Sequence, residues 1–262
     1  MSILAAERQQ QILQQLGRDG RVLATALAEV FSTSEDTIRR DLRDLAGRGL
    51  CRRVYGGALP VSPASSSAQV RAGEATDRKA ALGHTLAALI TPGSLVFVDS
   101  GTTNLAAARA FPEHLRLTVA THDPAIAAAL LAKPEVTLWL IGGRISREVG
   151  AAFGGRTLAD VEALRPELAL LGICALDSVG GVAAFDPEDK EIKRTLLRVS
   201  GRVAAAVLNE KLETSAPFAV GRAESLDCVV LEADAPESVA GAFEKRGISV
   251  RRAQPASPDE AR

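Results

Sequence analysis

A chain of 262 residues has room for more than one domain, and 47% apolar residues can bury a large core. A formal net charge of −1 excludes a general polyanion binder, so any nucleic-acid contact must come from local placement of charge. No apolar run reaches membrane-spanning length without a Gly, Pro or charged interruption, and the opening MSILAAERQQQ lacks the basic start and apolar stretch of a signal peptide.

Residues 1–58 are mostly helical in pattern. Ile12, Leu13 and Leu16 make one apolar face, Gly17 and Gly20 bracket a turn, and a second short helix carries Val22, Leu23, Leu27, Val30 and Phe31. Ser34 is a good N-cap for a third helix that runs to Gly47–Gly49 on a ladder of Ile38, Leu42 and Leu45. LCRRVYGGAL then predicts two short strands around Gly56 and Gly57. Residues 59–73, rich in Pro, Ser and Ala and without periodicity, predict a linker. From 74 to 252 helices alternate with short Val/Leu/Ile strands. The strands are LVFVD, LRLTVAT, VTLWLIGG, LALLGICAL, RVAAAVL, DCVVLEA and ISVRR; the helices lie at 74–90, from Thr103, at 124–132, at 187–200 and near 236–246. Strands apolar on both faces and followed by helices predict an α/β domain with a mostly parallel sheet covered on both sides. Residues 253–262 read as a disordered tail. Cys51, Cys174 and Cys228 are far apart, with no zinc or disulfide spacing, and read as buried, inert thiols of a reducing cytoplasm. No cofactor or metal is expected.

The third helix presents Ser34, Thr37, Arg39, Arg40 and Arg43 from its first turns, and the hairpin adds Arg52, Arg53 and Tyr55. Arginine clamps phosphate or reads guanine edges, and hydroxyls beside free helix amides suit phosphate oxygens. The helix and hairpin thus predict a reader of double-stranded DNA with the hairpin as a wing along the backbone. Residues 34–58 hold six arginines against four acids, a net of +2, so a single head binds weakly and a homo-oligomer, dimer or tetramer, is expected. The competing reading is a solvated face on which Arg39 and Arg43 pair with nearby acids. TSEDTIRRDLRDLAGRGLCRRVYGGA, with its TIRRDL core and R-x-x-GGA tail in order, resembles the N-terminal signature of the DeoR family of bacterial transcriptional regulators. The resemblance runs on to about residue 235. Thr33 departs from the family where an aliphatic residue is usual, and Tyr55 where histidine is frequent.

FVDSGTTNLA is the second strong signal. A strand ends at Asp99, and Ser100, Gly101, Thr102 and Thr103 open a helix: a close-approach glycine, hydroxyl donors and exposed amides make an anion cradle at a strand's carboxyl end. The same turn also fits an ordinary capped junction. Thr121 and His122, Gly142, Gly143 and Arg144, Asp177, and Lys211 stand at other strand ends and are candidates for the same crevice. Glu191 and Lys193, on a charged helix, read as surface residues, and Asp77, Arg78 and Lys79 as a solvated helix start. The resemblance implies a sensor domain similar in fold to ribose-phosphate isomerases that binds a phosphorylated sugar. It implies that Asp99 to Thr103 form its phosphate loop, that Gly142 and Gly143 match its Gly-Gly turn, and that Lys211 matches a lysine after a late strand. His122 replaces the asparagine usual after Thr121. DSVGGVAAFDP holds no counterpart of the isomerases' lysine-containing catalytic segment, so binding without catalysis is expected. The implied function is a regulator, a repressor of a sugar-catabolism operon; the alternative is an isomerase-like enzyme with a DNA-binding accessory.

Overall fold

Ser34 does what its position predicts: its hydroxyl accepts from the Thr37 amide at 3.2 Å and starts a helix whose buried stripe is Ile38, Leu42 and Leu45. This is the third helix of a small head in the computed structural model, which describes residues 4–19, 21–60, 62 and 67–254. The head contains α1 (Ala5–Asp19), β1 (Val22–Leu23), α2 (Ala24–Val30), α3 (Glu35–Gly47), β2 (Arg52–Val54) and β3 (Gly57–Leu59). The expected turn at Gly17 is absent because α1 continues through it, and Gly20 lies outside the described residues. Val22 and Leu23 are not helical. They pair antiparallel with Ala58 and Gly57, so a two-residue strand completes a three-stranded β1-β3-β2 wing. Ile12, Leu16, Val22, Leu27, Cys51 and Ala58 join the α3 stripe in one core. Beside it Arg8 meets Asp41 at 2.6 Å, which lets a carboxylate sit inside the three-helix packing.

The described part of the expected linker carries regular structure, while residues 61 and 63–66 lie outside the described residues. Ser67 caps a short helix, α4 (Ala68–Ala72), and the Ala68 amide donates to the Glu148 carbonyl at 2.8 Å. Upstream, Ser62 donates to the Ser215 carbonyl and the Ser215 amide to that of Pro60, both at 3.1 Å. Low periodicity conceals such a segment because its partners are distant in sequence.

The rest of the chain forms α5 (Thr76–Ala87), β4 (Leu95–Val98), α6 (Thr102–Arg109), β5 (Leu117–Thr121), α7 (Pro124–Leu130), β6 (Val136–Leu140), β7 (Arg144–Ile145), β8 (Ala152–Phe153), α8 (Gly155–Ala163), β9 (Leu168–Leu171), β10 (Ala175–Asp177), β11 (Gly181–Ala184), α9 (Pro187–Val199), β12 (Val203–Val207), β13 (Phe218–Gly221), β14 (Cys228–Leu231), α10 (Glu237–Glu244) and β15 (Ser249–Arg252). Seven strands make one parallel sheet in the order β15-β14-β12-β9-β4-β5-β6. The mostly parallel α/β fold expected from the sequence is what forms. Alternate residues of each strand face opposite layers. Val96 and Val98 pack with Leu82, Phe111 and Ile126 of the α5–α7 layer, while Phe97 and Leu171 pack with Val161, Ile192 and Phe243 of the α8–α10 layer. LALLGICAL is not one strand. It breaks at Gly172 into β9 and β10, and β10 joins an antiparallel β10-β11-β13 sheet. Ala253, placed in the expected tail, is buried against the α5–α7 layer; residues 255–262 lie outside the described residues.

Candidate DNA-reading surface and effector site

On α3 the residues expected to face DNA stand in the open. Ser34, Arg39, Arg40 and Arg43 are exposed, and the Thr37 hydroxyl lies 2.9 Å from that of Ser34. Arg39 is held at 2.6 Å by Glu35, so part of the competing solvated-face reading is present in the DNA-free head. On the wing Arg53 and Tyr55 are exposed, but Arg52 is half-buried and donates to the Ser215 hydroxyl at 2.8 Å. Arg21 bridges Asp177 at 2.5 Å and Glu213 at 3.5 Å. Asp177 therefore faces the head, not the crevice for which the sequence made it a candidate.

The second site lies where the sheet order reverses. The chain lays β5 and β6 on one side of β4, and β9 on the other, so the carboxyl ends of β4 and β9 open a crevice. Gly101, at φ 138°, turns the chain from β4 into α6. Across the crevice Gly172 is required by space: a Cβ there would sit 2.0 Å from the Ser100 carbonyl oxygen. Asn104 ties the two strand ends together by donating to the Asp99 and Leu170 carbonyls, both at 2.9 Å.

Beneath this turn lies a buried charge network. The Asp99 carboxylate accepts from the Gly172 amide at 2.8 Å, from Lys193 at 2.8 Å and from His122 Nε2 at 2.9 Å. His122 Nδ1 lies 2.9 Å from the Ala152 carbonyl, so the ring is held at both nitrogens. Lys193 also donates to Asp189 at 2.5 Å. Burial alone would raise the Asp99 carboxyl, but the Lys193 ammonium and the His122 ring hold it well below the usual carboxylate range. Burial likewise opposes the Lys193 charge, yet Asp189 and Asp99 keep it firmly protonated. Burial raises the Asp189 carboxyl, with Asp99 adding to the rise. Asp186 caps α9 through the Glu188 and Asp189 amides and so aims Asp189 and Lys193 inward, one helical turn apart.

A small cavity sits above the network. Its wall comprises Ser100 to Asn104, Gly172 to Cys174, Asp189, Lys193, Lys211 and, from the linker helix, Arg71. Lys211 follows β12 in a short 3-10 turn and donates to the Ile173 carbonyl at 2.8 Å. Burial pushes its ammonium down to about 8. The structure thus brings Ser100, Gly101, Thr102, Thr103 and Lys211 together as expected. Asp99, Thr121 and His122 are fully buried outside the cavity wall. Gly142 and Gly143 lie away from the cavity, where the Gly142 carbonyl accepts from Thr157, and Arg144 pairs with Glu188 on the surface. Cys51 and Cys228 are buried, but Cys174 lines the cavity, its thiol raised by burial and then by Asp189.

Two lysine readings change. Lys193 is not a surface residue. Lys79 is not solvated: it is buried and donates to the carbonyls of Arg71 and Glu74, while its neighbour Arg78 pairs with Glu210 and Glu232. Asp77, Arg78 and Glu191 are exposed as expected. The missed signal was phase. Lys193 shares the buried stripe of Ile192 and Leu196, and Lys79 that of Leu82 and Leu86. Among the described residues no cluster is set to hold a metal ion, and no helix is long and apolar enough to cross a membrane.

A winged helix-turn-helix joined to an α/β domain with a cavity at its switch point defines the class: a DNA-binding regulator with a sensor domain. The family described as DeoR-like helix-turn-helix domain matches residues 8–64, and DeoR C terminal sensor domain matches 74–233. The chain belongs to the DeoR family of transcriptional regulators. It is 32% identical to the glycerol-3-phosphate regulon repressor of Escherichia coli (strain K12) over 89% of this chain and 93% of that one. It is 28% identical to the HTH-type transcriptional regulator GlpR of Haloferax volcanii over 95% of this chain and 98% of that one. Among solved structures the full-length sorbitol operon regulator SorC of Klebsiella pneumoniae is similar over 90% of this chain and 97% of that one, at 12% identity and a TM-score of 0.45, too distant to add to the assignment.

Proposed function

We propose that this regulator is a cytoplasmic repressor of a sugar-catabolism operon, that it binds a double-stranded operator as a homo-oligomer, and that a phosphorylated sugar in the switch-point cavity controls it. The cavity carries the reading. A hydroxyl-lined turn, the amides opening α6 and the desolvated Lys211 ammonium converge there, and among the described residues no carboxylate pairs with Lys211. An anion supplies the missing partner. Ser100 to Thr103 and Lys211 hold the phosphate; Asp99, Thr121 and His122 support the turn from beneath. In the head Ser34, Thr37, Arg39, Arg40 and Arg43 meet the major groove, and Arg53 and Tyr55 meet the backbone, with Arg52 a weaker contact because Ser215 holds it. The names of the relatives support regulation by a phosphorylated small molecule.

Catalysis is the weaker reading. An isomerase needs a carboxylate open to substrate, and the Asp99 oxygens already take three donors, while Asp189 is occupied by Lys193 and approached by the Cys174 thiol at 3.8 Å. The test is a gel shift on the gene's own promoter region with a panel of sugar phosphates, beside a thermal-shift screen of the same panel. One compound should both raise the melting temperature and release the DNA. A panel that changes neither, or an aldose–ketose turnover by the purified protein, counts against the reading.

A further inference from the structure

We propose that chain segments 173–177 and 211–213 are a pair of rails that couple the effector cavity to the DNA-binding head through Arg21, and that ligand binding and the Arg21 bridge oppose each other. The inference deepens the regulatory reading above and rests on the cavity being a phosphate site.

Four observations converge. First, both segments start in the cavity wall and end at the head. Ile173, Cys174 and Lys211 line the cavity. Asp177 lies four residues beyond Ile173, and Glu213 two beyond Lys211. Both carboxylates meet the half-buried Arg21, at 2.5 Å and 3.5 Å, and Arg21 directly precedes the wing strand β1.

Second, the two segments are joined. Leu176 and Leu212 form a parallel bridge, and both side chains are buried in the core on the α8–α10 side of the sheet. At the cavity end the Lys211 ammonium donates to the Ile173 carbonyl at 2.8 Å. At the head end the Glu213 carboxylate accepts from the Ser178 amide at 3.0 Å. A shift at one end of so short and closely packed a pair is passed to the other.

Third, the Lys211 end is the part of the wall that yields. The cavity is about 30 Å³, room for a water or two and not for a phosphate ester, so a ligand must displace part of the wall. The turn at Ser100–Thr103 is welded to the sheet ends by Asn104, and Lys193 is locked between two carboxylates. Lys211 stands in a three-residue 3-10 turn. A phosphate oxygen is a stronger partner for its ammonium than the neutral Ile173 carbonyl.

Fourth, the head end is easily opened. Glu213 is held at φ 52°, a left-handed conformation that costs a non-glycine residue free energy. Burial and, after it, the Asp177 carboxylate raise the Glu213 carboxyl, so two crowded acids share one guanidinium. An anion that draws Lys211 off the Ile173 carbonyl therefore slackens the hold on Arg21 and frees the head from the orientation in which it meets the operator.

Linkage makes the test reciprocal: a ligand that opens the bridge binds more tightly to a protein whose bridge is already open. The experiment uses the full chain, with inorganic phosphate and glycerol 3-phosphate as probes in calorimetric titration and the gene's own promoter region in a gel shift. The bridge variants are Arg21→Gln and Asp177→Asn/Glu213→Gln; the second keeps the side-chain oxygens that accept from the Ser178, Val179 and Gly180 amides. Thr102→Val/Thr103→Val is the control for the phosphate site, and every variant is first shown to melt cooperatively. Both bridge variants should bind the probes roughly 5-fold or more tightly than wild type and hold the promoter fragment less tightly without ligand, while the loop variant loses the probes. A merely structural bridge would lower the melting temperature and leave probe affinity unchanged. Bridge variants with wild-type or weaker probe affinity, beside a loop variant that has lost it, overturn the coupling and leave the phosphate site standing. A wild-type protein that binds neither probe, or a loop variant that binds as wild type, removes the phosphate site and the coupling with it.

Discussion

A lysine buried between two carboxylates has few ways to tolerate change. Lys193→Met removes the counter-ion of both Asp99 and Asp189 and leaves two carboxylates close together in the core. We expect a loss of about 3–5 kcal/mol, read as a lower urea midpoint with an unchanged slope. A midpoint within error of wild type would show that the network adds no stability. Lys211 makes a different prediction because its charge is opposed by burial. With its folded value near 8 against an ordinary 10.5, the unfolded chain binds a proton that the folded chain lacks between those limits. Its contribution to stability therefore rises with pH from about 8 to 10.5. Phosphate affinity runs the other way and falls as pH rises through about 8, because the ammonium loses the charge that holds the anion. It also falls below about pH 6, where a phosphate ester takes up its second proton. Calorimetric titration from pH 5 to 9 should trace a plateau between the two limbs; affinity that still climbs above pH 8 removes Lys211 from the site. In the head, Arg40→Ala should cost roughly 1–3 kcal/mol of operator affinity with the melting temperature unchanged.

At the scale of elements the wing arginines separate. Arg53 is exposed on β2, whereas Arg52 reaches back to Ser215 of the sensor domain. Its neighbours in that interface are Arg21 with Asp177 and Glu213, and Glu213 takes a left-handed φ of 52°, a conformation that only surrounding contacts maintain in a non-glycine residue. We expect Arg53→Ala to lower the slope of log affinity against log salt by about one, and Arg52→Ala to lower it by less. Equal slopes would mean that the wing leaves Ser215 when DNA binds. The linker belongs to this scale as well. Its Pro/Ser/Ala composition reads as flexible chain, and composition is correct about its weak local preference. What orders α4 is the Glu148 carbonyl and the Lys79 ammonium, neither of which any local pattern reveals.

For the whole molecule the charge balance sets the quaternary expectation. A net of +2 over residues 34–58 is little for a DNA-binding surface, so paired heads spaced about one helical turn apart should be needed for tight binding. Sedimentation of the full chain should show at least a dimer at micromolar concentration, and an operator containing one half-site should bind far more weakly than one with two. A monomer that binds single half-sites tightly would overturn this.

Elements that make their own contacts were legible in the sequence. The Ser34 cap, the α3 stripe, the double-faced strands and the Asp99–Thr103 turn rest on interactions within a few residues or on burial patterns repeated along one element, so their logic is written locally. The head and the sheet followed from them. Interactions between elements were not legible. Asp99 and Lys193 are 94 residues apart, and Arg21 and Asp177 are 156 apart. A charged residue at a core position in a helix can be seen in the sequence, but its partner cannot. Only the reversal of strand order between β4 and β9 brings α9, Lys211 and the linker helix around one turn. That convergence decided which polar residues face a ligand, which carry the charge beneath it, and which meet the head.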